Sequence, residues 1–273
     1  MREIAQISDS LSTEEARAEA LQHIKKFCDD HHFHIYYVRM WNTKVNGKRM
    51  TAFDVGSHCL GDIHGCVHTL KDLLNRVSYS SQTDTLVFIG DYIDRGYFSY
   101  EVVDMLIKLQ HQVGKDKVVC LRGNHEQMAI DAYRHGNYPL WYRNGGRSTE
   151  YSFEKNGQDL DNAISWFETL PLVYDTPEII FCHAGLSYPL LQDNSQEDLL
   201  WGRDWIRTDT EEREKQVVFG HTPRGGGRAY TVPTGDICID AGCVFGGRLC
   251  ALVVQDDGQS ACVYVNKNWE DDL

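Results

Sequence analysis

Leu86-Val87-Phe88-Ile89-Gly90-Asp91-Tyr92-Ile93-Asp94-Arg95-Gly96 runs from an uninterrupted apolar stretch straight into a glycine-bounded cluster of charged groups. Four consecutive apolar residues that stop at a glycine read as a strand buried on both faces. The glycine permits unusual backbone angles, so the chain can turn and deliver Asp91, Asp94 and Arg95 to the edge of a sheet. The same succession recurs along the chain. Val118-Val119-Cys120-Leu121 leads into Arg122-Gly123-Asn124-His125-Glu126, Ile179-Ile180-Phe181-Cys182 into His183, and Val217-Val218-Phe219 towards His221, while Gly61-Asp62-Ile63-His64-Gly65 forms an earlier cluster. Leu70, Leu73, Leu74 and Val77 mark an amphipathic helix after the first cluster, and Tyr100 to Gln110 carries another after the second. Strand-like and helix-like segments alternate, which predicts an α/β arrangement.

Open α/β sheets bind ligands outside the carboxyl ends of their strands, so Asp62, His64, Asp91, Asn124, His183 and His221 can converge despite long gaps in sequence. Mixed imidazole, carboxylate and amide donors suit manganese, iron or zinc better than calcium. Two divalent ions about 3.5–4 Å apart are well served by a shared carboxylate, for which Asp91 is the candidate, and they lower the pKa of a bridging water towards neutrality. Arg95, Arg122 and Arg203 lie in or near these loops, and guanidinium forks match the oxygens of a phosphoryl group. Asp94 could accept from one ring nitrogen of His125 and favour its protonated form, making a general acid for a leaving group.

The totals narrow the field. At 273 residues and 42% hydrophobic the chain can fill a sizeable core. Its formal charge of −13 argues against a nucleic-acid partner, because affinity for polyphosphate backbones comes mainly from Lys and Arg. No apolar run reaches membrane-spanning length, and Met1 to Leu11, with Arg2, Glu3 and Asp9, does not read as a secretory signal. Nine cysteines without a Cys-x-x-Cys pair suggest buried thiols in a reducing compartment, so a cytoplasmic location is expected.

Ahead of the first cluster the pattern differs. Ser12-Thr13-Glu14-Glu15 has capping-box spacing, and Ala20, Leu21, Ile24, Phe27 and Cys28 fall on one face of a helix expected from Thr13 to Asp29. His32 to Thr43 is aromatic and β-branched, and Asn46-Gly47 supplies a hairpin turn before Arg49 to Phe53. Residues 1–55 are therefore expected to form a helix plus β-hairpin extension packed on a catalytic body of residues 56–273. His31-His32-Phe33-His34 matches no familiar ligand spacing and reads as a solvated helix end or strand start.

With Phe181-Cys182-His183-Ala184-Gly185 and Phe219-Gly220-His221-Thr222-Pro223 as the later histidine motifs, the clusters resemble the metal-dependent phosphoprotein phosphatase (PPP) family. The resemblance is to its bacterial and phage-type serine/threonine branch, within the calcineurin-like metallophosphoesterases, and covers residues 56 to 254. Trp141-Tyr142-Arg143-Asn144-Gly145-Gly146 and Gly246-Gly247-Arg248-Leu249 are similar to segments of that branch. The implied fold is α/β, with two mixed β-sheets packed face to face and flanked by helices, a four-layer sandwich with the metals at the sheet edge. Carried over by position, Asp62, His64 and Asp91 would hold one metal, and Asp91, Asn124, His183 and His221 the other. Arg95, Arg122 and Arg203 would grip phosphate, and His125 with Asp94 would protonate the departing oxygen.

The implied cofactor is a pair of divalent ions, manganese first, with iron or zinc as alternatives. The implied substrate is a phosphorylated protein or peptide carrying phosphoserine or phosphothreonine, with phosphotyrosine in the same class, cleaved by direct attack of a metal-bridging hydroxide. Dinucleoside polyphosphates such as diadenosine tetraphosphate are the rival substrate, and a non-catalytic phosphate-binding protein is the remaining alternative. Two features stand apart from the family pattern: Ser57 and His58 interrupt the expected apolar strand before Gly61, and Asp240-Ala241-Gly242 lacks the threonine that bacterial relatives tend to carry. Cys66 is not expected to act as a nucleophile, since no loop of backbone donors follows it. The acidic Glu270-Asp271-Asp272 is expected to be a solvated terminus.

Overall fold

The computed structural model of the chain describes residues 44–45, 48–49, 56–77, 79, 84–203, 215–255 and 260–273. The helix expected from Thr13 to Asp29, the His31–His34 cluster and the Asn46-Gly47 turn lie outside them. The chain divides into two units, Met1–Thr51 and Ala52–Leu273. In the first, β1 (Lys44–Val45) and β2 (Lys48–Arg49) pair antiparallel, with Lys44 opposite Arg49.

In the second unit the apolar runs become the parallel strands of two five-stranded sheets. One contains β3 (Gly56–Leu60), β4 (Thr85–Phe88) and β5 (Val118–Cys120), mutually parallel, with β11 (Arg248–Gln255) antiparallel to β3 and β12 (Ser260–Asn266) at the edge. The other runs β6 (Val173–Asp175), β7 (Ile179–Cys182), β8 (Gln216–Phe219), β10 (Ile237–Cys238) and β9 (Tyr230–Thr231). Here β7, β8 and β10 are parallel.

Alternation along each run explains the layering, because successive side chains of a strand point to opposite faces. Cys59, Val87, Ile89, Val119 and Leu121 from the first sheet meet Ile179, Phe181, Val218 and Ile239 from the second in one buried layer. Their neighbours Leu60, Leu86, Phe88, Val118 and Cys120 point the other way, into a core shared with helices. Those helices are α1 (Val67–Arg76), α2 (Ser99–Val113), α3 (Asn124–His135), α4 (Tyr138–Arg143), α5 (Gly146–Lys155) and α6 (Leu160–Glu168). On the outer face of the second sheet Ile180, Cys182, Val217 and Phe219 pack with Leu199 of α7 (Gln196–Trp201). The sheets are thus stacked face to face as expected, with the helices concentrated on one side among the described residues.

The irregular residues of β3 have a local explanation. His58 is buried, and its Nε2 lies 3.2 Å from Asp84 Oδ2, so the polar group inside the sheet is met by a carboxylate. The expectation of a solvated acidic terminus fails at Asp271, while Asp272 is exposed. Asp271 is buried, and its Oδ1 accepts from His68 N at 2.8 Å while Oδ2 accepts from Thr69 N at 3.0 Å and Thr69 Oγ1 at 2.5 Å. Cys66, the residue before α1, has no side chain able to cap it. A carboxylate from about 200 positions away therefore satisfies the orphan N–H groups of that helix and complements its dipole.

The eight described cysteines form no disulfide, and seven are buried. Contact with Cys243 and burial push the Cys66 thiol far above its ordinary range, away from the thiolate that a nucleophile needs. No helix among the described residues is long and apolar enough to cross a membrane.

Candidate metal centre

Every parallel strand ends by handing a polar residue to the same edge: β3 to Asp62, β4 to Asp91, β5 to Asn124, β7 to His183, β8 to His221 and β10 to Asp240. The loops are held in unusual backbone conformations. His64, Asp91, Asp94, Arg95 and His221 all have positive φ, between 46° and 73°, and they are the only non-glycine residues that do so among those described. Such conformations cost of order 1 kcal/mol each and persist only where surrounding structure enforces them. Glycines make the enforcement possible. A Cβ at Gly123 would collide with Asp91, and one at Gly220 with Asp62.

One cluster forms around Asp91 Oδ1. His183 Nε2 lies 3.4 Å from it, and Asn124 Oδ1 is 2.9 Å from His183 Nε2 and 3.1 Å from His221 Nδ1. His183 Nδ1 sits 2.9 Å from the Ile89 carbonyl across the sheet interface. A carbonyl only accepts, so the proton is on Nδ1 and the Nε2 lone pair faces the amide oxygen of Asn124. Burial pulls His183 and His221 below their ordinary range and keeps both neutral, His221 at about 2. At His183 lone pairs of nitrogen and oxygen thus point at one another with no proton between them, an arrangement that a cation relieves. His221 Nε2 is buried without a hydrogen-bond partner, so the ring's polar anchor is this cluster itself.

A second cluster lies on the other oxygen of Asp91. His64 Nε2 is 3.4 Å from Asp91 Oδ2, and His64 Nδ1 is fixed on the Ile93 carbonyl at 2.8 Å, which again turns a lone pair inward. Arg95 Nη1 contacts the same His64 Nε2. His125 Nε2 stands 4.0 Å from Asp91 Oδ2, within the space spanned by His64 and Asp91. Asp62 lies beside this cluster rather than in it, its carboxylate accepting from His221 N at 3.0 Å.

Charge balance gives the same answer. Burial, then Asp240 and Asp91, push Asp62 well above its ordinary range, and burial raises Asp240 to about 6. Burial alone would raise Asp91, but attraction to the imidazoles around it outweighs this and lowers it. With His64, His183 and His221 pulled towards the neutral form, three buried carboxyl groups crowd a site whose near cations are Arg95 and the raised His125, a site short of positive charge. The donor set of oxygen and imidazole nitrogen fits borderline divalent ions, and two of them can share Asp91 through its two oxygens.

His125 is a different kind of group. Its Nδ1 is 2.6 Å from Asp94 Oδ2, and Asp94, fully buried, also accepts from Thr149 Oγ1 at 2.6 Å and from Trp141 Nε1 at 3.0 Å. Burial lowers the imidazole, but Asp91 and the hydrogen-bonded Asp94 outweigh it, so His125 is raised. A proton is thereby held on the nitrogen that faces the centre.

The arginines separate. Arg95 touches His64, and Arg203 donates from Nε to Thr222 Oγ1 at 3.1 Å, one residue past His221. Arg122 is not brought into the site. Its guanidinium donates to Phe167 O, Glu168 O and Leu170 O at the end of α6 and to Gln127 Oε1, at 2.8–3.1 Å.

Two residues had no role assigned from sequence. Glu126, fully buried and raised by burial to about 7, accepts from Gly123 N at 2.9 Å, Asp91 N at 2.8 Å and Tyr92 N at 2.8 Å. It ties the Asp91 loop to the start of α3, and its position three residues after Gly123 is the capping-box spacing that could have revealed it. Asp240 follows Ile237-Cys238-Ile239 as Asp91 follows Leu86–Ile89, and that repeated signature could have placed it.

Comparison with known proteins agrees with this geometry. The model of the calcineurin-like phosphoesterase family matches residues 58–256. Serine/threonine-protein phosphatase 2 of Escherichia coli K12 is 28% identical over 206 residues, 70% of this chain and 88% of that protein. Bis(5'-nucleosyl)-tetraphosphatase PrpE of Anoxybacillus flavithermus is also 28% identical, over 225 residues, 71% of this chain and 88% of the other. Among solved structures, that of a candidate diadenosine tetraphosphatase superposes with a TM-score of 0.59 at 24% identity, over 81% of this chain and 97% of its own, a likeness of fold. With the family model spanning most of its length and its strand ends gathering the donors of a metal centre, this chain belongs to the calcineurin-like phosphoesterases, a family of hydrolases built on a dinuclear metal site.

Proposed function

We propose that this chain is a phosphoprotein phosphatase that hydrolyses phosphoserine and phosphothreonine monoesters, with manganese as the working metal. Asp62, His64 and Asp91 would hold one ion, and Asp91, Asn124, His183 and His221 the other. When bound, the ions supply Lewis-acid charge for the phosphoryl oxygens and lower the pKa of coordinated water. Arg95 and Arg203 flank the two clusters and would receive the remaining phosphoryl oxygens, giving electrostatic stabilisation where charge develops. Arg122, committed to the end of α6, is left out of this assignment.

The observation that carries the substrate reading is the His125–Asp94 pair, whose 2.6 Å hydrogen bond at Nδ1 favours the imidazolium and with it a proton on Nε2, the nitrogen facing the centre. A serine or threonine alkoxide is a poor leaving group and needs that proton as the P–O bond breaks. A nucleoside polyphosphate leaves far more readily and has little use for it. The rival reading, cleavage of dinucleoside polyphosphates, draws support from the relative named as a tetraphosphatase at the same 28% identity.

The two are separated by kcat/KM of the manganese-loaded chain on phosphoserine, phosphothreonine and phosphotyrosine peptides beside diadenosine tetraphosphate. Higher values on the phosphoserine and phosphothreonine peptides are expected. A clear preference for the dinucleotide would replace the proposal with its rival.

A further inference from the structure

Phe245 is 67% exposed, an unusual position for a benzyl side chain in a well-packed body. It is held there by its backbone. Gly242 and Gly246, with φ of 69° and 84°, bracket a tight turn in which Phe245 N donates to Gly242 O at 3.1 Å and Gly247 N to the same carbonyl at 3.0 Å. One face of the ring carries the Arg95 guanidinium, 5.3 Å from its centroid, and Arg95 in turn touches His64. Phe245 is therefore a wall of the reaction centre.

The ring is also a wall of something else. A cavity of about 470 Å³ adjoins it, bounded by the Gly226-Gly227 turn, the Gly246-Gly247 turn, Arg248 and Lys267. Its polar character follows from exposed backbone and cations, and its size falls in the range of small-ligand sites.

The two chain segments that supply its turns carry charge of one sign. In a chain of net charge −13, neither Thr222–Gly235 nor Ala241–Gln255 contains an aspartate or glutamate, while they carry Arg224, Arg228 and Arg248. Lys267 already holds a carboxylate, that of Asp272 at 2.5 Å, and the carbonyl of Val244 at 3.3 Å. Arg248 is differently placed. Its Nε donates to the amide oxygen of Asn266 at 3.0 Å and its guanidinium lies 6.0 Å from the Tyr264 ring, and neither group neutralises it.

We propose that this cavity is a second anion subsite, which takes a carboxylate or further phosphate carried by the substrate beside the phosphate being cleaved, with Arg248 as its cation and Phe245 as the partition between the two. The substrate class becomes phosphoesters bearing a second negative group. The subsite rests on the phosphoester-hydrolase reading for its substrate, and its binding can be tested without that reading.

With the manganese-loaded full chain, kcat/KM is compared for a phosphopeptide with acidic flanking residues, its Gln/Asn-flanked counterpart, and diadenosine tetraphosphate, using p-nitrophenyl phosphate as the reference with no second charge. Arg248→Gln is expected to lower the value about tenfold on substrates with a second anion, roughly one charge-assisted contact, and to leave p-nitrophenyl phosphate within about twofold. Arg248→Lys should recover part of the loss. An effect on the acidic peptide identifies the carboxylate as the source, and one on the dinucleotide identifies the phosphate. No effect on either overturns the subsite.

Calorimetric titration of inorganic tripolyphosphate and orthophosphate into the metal-free chain gives a readout independent of turnover. Arg248→Gln should weaken the first about tenfold and spare the second. Equal affinities of variant and wild type for tripolyphosphate overturn the proposal. If p-nitrophenyl phosphate is not cleaved at all, the hydrolase reading fails, and the titration alone decides the subsite.

Discussion

A histidine bound to a carboxylate through Nδ1 has a proton to donate from Nε2 only as the imidazolium, and here the side chains around Asp94 favour that form. Asp94 takes hydrogen bonds from His125, Thr149 and Trp141 at once, so the carboxylate cannot swing away from the imidazole. The prediction at this scale concerns His125→Asn. The amide preserves a polar group of similar reach but has no proton to give. Asn124 and Asp91, which supply donors to the metal clusters, are untouched. Manganese content should therefore stay at the wild-type level while kcat on a phosphoserine peptide falls about 10²–10⁴-fold. On p-nitrophenyl phosphate, whose phenolate needs little protonation, the loss should be much smaller. Equal losses on both substrates would show that His125 acts on binding or positioning instead of on the leaving group.

At the scale of elements, the helix that follows the first metal loop lacks a cap of its own. Asp271, on the 3₁₀ turn Trp269–Asp272, closes it with three hydrogen bonds. Asp271→Ala should cost about 1–2 kcal/mol, the typical value of a lost N-terminal cap. For a body of this size that lowers Tm by about 2–4 °C per kcal/mol, readable by calorimetry. Asp271→Asn, which keeps an acceptor, should lose less, and an unchanged Tm in the alanine variant would remove the cap from the stability of the fold. This contact also shows where sequence reading stops. The strands were legible because Leu86–Ile89, Val118–Leu121 and Ile179–Cys182 are continuous apolar runs whose length and punctuation are local properties. The two-sheet stacking was not spelled out by periodicity and came through family resemblance. A carboxylate that reaches across the chain to cap a helix leaves no local trace, so Glu270-Asp271-Asp272 looked like any acidic terminus. Arg122 misled for a related reason: its place beside Gly123-Asn124-His125 is a fact of sequence, while its direction is set by the carbonyls at the end of α6, a feature of the packed molecule.

For the whole molecule, the metal centre is a question of charge assembled by folding. Asp62, Asp91 and Asp240 are far apart in the unfolded chain and become buried neighbours in the native one, at a cost that a bound cation offsets. The gathering of donors was readable because each ends an apolar run, whereas the crowding of Asp62 by Asp240 depends on how β3 and β10 meet across the two sheets. Ions that bind the folded state alone stabilise it by about 2.7 kcal/mol per site at a free concentration 100 times Kd. Adding manganese to metal-free protein should thus raise Tm by roughly 10–20 °C when both sites fill, and a chelator should reverse the change. Asp62→Asn carries the sign. Because the native state raises the proton affinity of Asp62 above that of the unfolded chain, its charge opposes folding at neutral pH when no metal is present. Removing that charge should raise the Tm of the metal-free protein and shrink the increment that manganese adds. If the variant's metal-free Tm falls while its manganese increment stays whole, then Asp62 serves the fold through its bond to His221 N and has no part in holding the ion.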